Sequence, residues 1–149
     1  MSLKLPESVL VVIHTPRLDV LLLERAARPG FWQSVTGSLD REDELPVAAA
    51  CREVREETGV RATPAQLRDW RMAQAFEIFA HWRPRFAAGV THNTEHVFSL
   101  QVDAPFAVTL DPDEHRAQRW LPWRKAAQAC FSWSNRDAIR LLPGRRPAP

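Results

Sequence analysis

The run Val9-Leu10-Val11-Val12-Ile13 does most to limit what this chain can become. Consecutive apolar, mostly β-branched residues leave no polar face, so residues 8–15 read as a buried strand from the middle of a sheet. The run is too short to cross a bilayer and no cleavage-site pattern accompanies it, which argues against a membrane partner. Further strands are expected over 19–25, 31–38 (ending at Gly37), 67–80 and 94–102, the last two closing a hairpin. Residues 105–110 and 119–123 read as short strands, with 111–118 as a loop between them. Helices are expected over about 45–58, 124–131 and 134–142. Pro46 lies in the first turn of the first helix, where a missing N–H does no harm, and Gly59 is placed to stop it. Mixed strands and helices, with no repeat and no linker, argue for one α/β or α+β domain over 1–142 and a frayed tail over 143–149.

Charge and cysteine usage exclude some classes. A formal net charge of +2 gives no support to a nucleic-acid polymer as partner. All basic residues except Lys4 and Lys125 are arginine, which suits bidentate phosphate contacts. Cys51 and Cys130 have neither metal-knuckle nor disulfide spacing, and the histidines show no metal spacing, so a reducing, cytoplasmic setting is expected.

The stretch "CREVREETGV", from Cys51 to Val60, sets the chemistry. At about 100° per residue, Val47, Cys51, Val54 and Thr58 share one helix face and Glu53, Glu56 and Glu57 fall on roughly the opposite side. The carboxylates are expected to project outward as a set. Like charges at this spacing repel by a few tenths of a kcal/mol per pair. Either solvent and the neighbouring Arg52 and Arg55 absorb that cost, or the set holds something positive.

The surrounding residues favour the second reading. "GSLDREDELPVAAACREVREETGV" resembles the signature of the Nudix family: Gly, five residues, Glu, seven residues, then Arg-Glu-apolar-any-Glu-Glu-any-Gly-apolar. Seven specified residues would match by chance roughly once in 10⁸ starting positions. Here six residues separate Gly37 from Glu44; alternatively Asp43 fills the acidic position. The resemblance implies a Nudix fold, a mixed β-sheet sandwiched between helices (α-β-α). It also implies hydrolysis of a phosphoric anhydride assisted by Mg²⁺ or Mn²⁺, hard ions that suit carboxylate oxygens. Glu53 and Glu57 are then the surest ligands, Glu56 a further ligand or the base, with Glu77 and Glu95 as other candidate bases. Arg52 and Glu44 complete the catalytic set, Arg52 bracing a carboxylate.

Blocks outside the signature are similar to one bacterial branch of that family, which acts on dihydroneopterin triphosphate in folate biosynthesis. They are "FWQSVTGS", "FEIF", "HWRPRFAAGVTHNTE", "EHRAQRWL" and "SWSNRDAI". This implies Glu114 as a metal ligand from across the cleft. Lys4, Arg25, Thr36, Phe76, Glu77, Ile78, Phe79 and Ser132 are implied substrate contacts. Phe76 and Phe79 offer faces for a bicyclic ring, and Glu77 a carboxylate for its N–H edge. Arg83 and Arg85 are candidates for a lid over the phosphates, and Ser132 or Ser134 for capping the last helix. The signature admits other substrates: a nucleoside or deoxynucleoside triphosphate instead of a pterin, or a silent Nudix-like domain that only binds. The sequence does not set the oligomeric state.

Overall fold

The computed structural model describes residues 3–145. Strands β1 (Glu7–His14), β2 (Asp19–Arg25), β3 (Trp32–Gln33) and β4 (Val35–Ser38) precede helix α1 (Pro46–Thr58). Then come β5 (Leu67–Glu77), β6 (His92–Gln101), β7 (His115–Pro122), α2 (Trp123–Ala129) and α3 (Trp133–Arg145). The strands form one mixed sheet in the order β3-β2-β1-β6-β5, with β4 also paired to β1 and β7 to β2. β1 and β6 run parallel, from Glu7 opposite Thr94 to His14 opposite Gln101; the other pairings are antiparallel.

The apolar run of β1 is explained by cover on both sides. Val9, Val11 and Ile13 join a core with Ala49, Ala50 and Val54 of α1. Leu10 and Val12 join a second core with Ala126 and Ala127 of α2 and Ala138, Ile139 and Leu142 of α3. The result is the expected α-β-α layering.

Several boundaries differ from the sequence reading. The strand expected over 31–38 breaks at Ser34, whose N–H donates to Asn135 Oδ1 at 2.7 Å. β3 pairs with β2 while β4 pairs with β1, so the break hands the chain from one neighbour to the other. The strand expected to reach residue 80 ends at Glu77 and a 3₁₀ helix, Ala80–Arg85, follows. Residues 105–110 join no sheet. The backbone N–H and C=O of Val108 bond the Gln118 side chain at 2.7 and 2.8 Å, and Thr109 N–H bonds Thr58 O at 3.0 Å. The loop expected over 111–118 gives way at His115 to β7, because β2 supplies a full antiparallel partner. α3 begins at Trp133 and continues through Arg145, past the expected end of the domain at 142. The rest of the expected tail, 146–149, lies outside the described residues.

Candidate active site

The site is built where α1 passes beneath β4. Any Cβ on Gly37 would overlap the Glu53 carboxylate, so only glycine lets the strand lie this close to the helix. This placement corrects the expectation that the three helix carboxylates project outward. Glu53 and Glu57 are 8% and 0% exposed, and only Glu56 remains open to solvent. The cause is which face of α1 is covered: Ala49, Ala50 and Val54 form its buried centre, and at helical spacing Glu53 and Glu57 fall on that same side while Val47 and Cys51 are only partly buried.

Arg52 holds this edge together. Its Nε and Nη2 each bond an oxygen of Glu44 at 3.1 Å. Its Nη1 bonds Glu53 at 2.7 Å and reaches Glu56 at 3.5 Å. Nη2 also bonds Ser38 O at 3.1 Å, and Asp40 pairs with Nε at 3.1 Å. Glu44 rather than Asp43 therefore fills the acidic position; Asp43 pairs with Arg41 at the surface. The extra loop residue is absorbed by a turn in which Asp40 N–H bonds Glu44 Oε1 at 2.8 Å. Glu44 lies behind the cleft wall and does not face it. Its geometry is that of a group orienting Arg52.

Glu57 is the deepest carboxylate, and neither of its oxygens has a hydrogen-bond partner among the described residues. Burial, then the adjacent Glu53, then Glu114, push its pKa well above the usual range, while the Thr36 backbone pulls the other way. Burial also raises Glu53, against the opposing pull of Arg52. Glu114 sits in the turn before β7, fixed by the bond from Ala26 N–H to its carbonyl at 2.9 Å. Ligand atoms of Glu57, Glu114 and His115 lie within 4.8 Å of one another. His115 was not legible as part of this group because its partners arrive from β2 and α1. Burial, then Arg25, lower its pKa to about 4, so it is neutral, and Gln33 Nε2 lies 3.2 Å from its Nε2. Buried carboxylate oxygens that make no hydrogen bond among the described residues, beside Glu114 and His115, form a hard-donor set that fits a divalent cation, which would favour their ionised form.

Cations share a cleft of about 1010 Å³ with these carboxylates. Lys4, Arg25 and Arg85 gather there, and burial followed by mutual repulsion lowers the pKa of both Lys4 and Arg25. Lys4 N–H bonds Arg85 O at 2.8 Å, which ties the N-terminal segment to the 3₁₀ turn. Thr36, Phe76, Glu77, Ile78, Phe79 and Ser132 also line the cleft, as the sequence reading expects. Two details depart from it. Arg83 is outside the cleft wall, bonding Glu77 Oε1 at 2.6 Å and Ile78 O at 3.2 Å, so it clamps the end of β5. One oxygen of Glu77 is accordingly engaged by Arg83, while its side chain remains exposed at the cleft. Ser132 caps α3 by accepting the Asn135 N–H at 3.3 Å. The sequence reading missed Trp82 and Phe131, aromatic neighbours of Phe79 on this wall, with Arg25 stacked 5.0 Å from the Trp82 ring centre.

The model of the NUDIX domain matches residues 4–142. The chain is 45% identical over 139 residues to the dihydroneopterin triphosphate diphosphatase of Escherichia coli strain K12, covering 91% of each. It is 38% identical over 143 residues to the protein of the same name in Haemophilus influenzae, covering 94% of this chain and 89% of that one. The solved structure of the E. coli dihydroneopterin triphosphate pyrophosphohydrolase superposes with a TM-score of 0.88 at 43% identity, over 95% of this chain and 97% of that one.

Proposed function

The chain belongs to the Nudix family, and on that footing we propose that it is a cytoplasmic hydrolase that converts dihydroneopterin triphosphate and water to dihydroneopterin monophosphate and pyrophosphate. The observation that carries this reading is the meeting, in one cleft, of the buried carboxylates of Glu53 and Glu57 with the cations Lys4, Arg25 and Arg85. Relatives bearing that activity in their names match nearly the whole chain.

Glu53, Glu57 and Glu114 would hold Mg²⁺ or Mn²⁺, with His115 beside them. When bound, the ion supplies charge neutralisation at the phosphates and acidifies the attacking water. Lys4, Arg25 and Arg85 hold the triphosphate chain and offset charge on the leaving pyrophosphate. Arg52, itself set by Glu44, fixes the Glu53 carboxylate. Glu56 is the carboxylate on this helix left exposed in the cleft, which suits it to take the proton of the attacking water.

The test is a side-by-side panel of kcat/KM and products for dihydroneopterin triphosphate and dATP, each with Mg²⁺ and with EDTA. The reading expects metal-dependent, stoichiometric pyrophosphate and a clear preference for the pterin. A preference for dATP would replace it with a deoxynucleoside triphosphate pyrophosphatase. Metal-independent binding with no turnover of either would leave a silent Nudix domain.

A further inference from the structure

Glu95 lies in β6 on the side of the sheet covered by α3, between Ser8 of β1 and Gln74 of β5, and is 5% exposed. The Ser134 hydroxyl, in the first turn of α3, bonds its carboxyl group. Its Oε1 has no hydrogen-bond partner among the described residues. The polar groups around it are engaged elsewhere. Asn93 Nδ2 donates to Ser8 Oγ at 2.7 Å, Gln74 Nε2 to Ser134 O at 2.9 Å, and Asn135 Nδ2 to Ser34 Oγ at 3.0 Å. Buried polar atoms are nearly always paired, so one that is not calls for an explanation, such as a water, an ion or a functional role.

Glu95 also lines the cleft. Phe76 stands opposite Asn93 on β5, and Gln74 opposite Glu95. Alternation along the strands puts Phe76, Asn93 and Glu95 on one side of the sheet. An apolar ring wall thus adjoins a lone acceptor, inside the cleft that holds the carboxylates and cations.

We propose that Glu95 reads the substrate's ring: Oε1 accepts an N–H from the exocyclic amino group of a nitrogen heterocycle whose face lies on Phe76. The phosphate end of this picture rests on the proposed hydrolase reading; the amino-group contact does not depend on the ring being a pterin. Burial holds the Glu95 pKa up at about 7, consistent with a site kept dry for a ring.

The experiment deletes the amino group from the ligand and the acceptor from the protein. The wild-type chain is expected to bind dihydroneopterin about tenfold or more tighter than its 2-oxo counterpart, a contrast that needs no variant. Glu95→Leu is expected to bring that ratio near one and to raise KM for the triphosphate with kcat changed less than about twofold, while Glu95→Gln, which keeps one acceptor, retains part of it. Inhibition by pyrophosphate should stay unchanged in both variants, which shows that the phosphate end is intact. Equal binding of the two rings by the wild type overturns the proposal, as does a ratio that survives Glu95→Leu or a loss confined to kcat. If dihydroneopterin triphosphate is not turned over at all, the hydrolase reading fails separately. The pairs deoxyadenosine with deoxyinosine, and their triphosphates, then test the amino-group contact.

Discussion

At Gly37 the backbone leaves no room for a Cβ beside the Glu53 carboxylate. Gly37→Ala pushes its methyl into Glu53, so the strand must lift or the carboxylate must turn. We expect a loss of roughly 1–3 kcal/mol in stability and about 10²-fold in kcat/KM, since displacements of this size misplace reacting groups. Denaturant melts and steady-state kinetics on the purified variant check both. Glu95 carries a second prediction, in the metal-free protein. Burial raises its folded pKa from 4.5 to about 7, so the fold favours the neutral acid. The stability it contributes is complete below about pH 4.5 and is lost as pH rises through 7, a difference of roughly 3 kcal/mol. Glu95→Gln, always neutral, should lose less stability between pH 5 and 8 than the wild type does; equal slopes would contradict this. The signature carboxylates were legible one by one because their spacing is itself chemical information. His115, Trp82 and the open oxygen of Glu95 were not, because each acquires its meaning from residues distant in the chain.

Helix α1 presents the site on one edge and is held at its ends by unequal means. Gly59 closes it in the left-handed conformation, φ 77°, with its N–H bonded to Arg55 O at 2.9 Å. Gly59→Ala would strain the backbone and bring a methyl to 3.2 Å from Thr109 Cβ. A cost of about 1–2 kcal/mol is expected in urea melts. The other end has no side-chain cap: Leu45 occupies that position, 67% exposed. Leu45→Ser should supply the missing acceptor and stabilise the fold by about 0.5–1 kcal/mol, with activity unchanged because Leu45 lies outside the cleft. The limits of α1 and β2 were legible because Pro, Gly and apolar patterning act locally. The break at Ser34 and the pairing of Val108 with Gln118 were not, since each depends on a side chain from another part of the chain.

Across the whole molecule, the sheet is buried on both faces by separate helical layers. The cleft opens where β4, the end of β5 and the first turn of α3 converge. The layering was legible in the apolar run of β1. The cleft's polarity was not: Lys4, Arg25 and Arg85 come from well-separated segments and meet only after folding. A divalent ion bound there would stabilise the fold as well, because it would satisfy Glu57 oxygens that are buried without a hydrogen-bond partner among the described residues. Among the described residues, no helix is long and apolar enough to cross a membrane. The most direct measurement is titration of Mn²⁺ into the wild type and Glu57→Gln, followed by the loss of the free-ion electron paramagnetic resonance signal. The account predicts saturable binding by the wild type, weakened at least about tenfold in the variant together with its turnover. Equal Mn²⁺ affinity and equal turnover in the two proteins would contradict it.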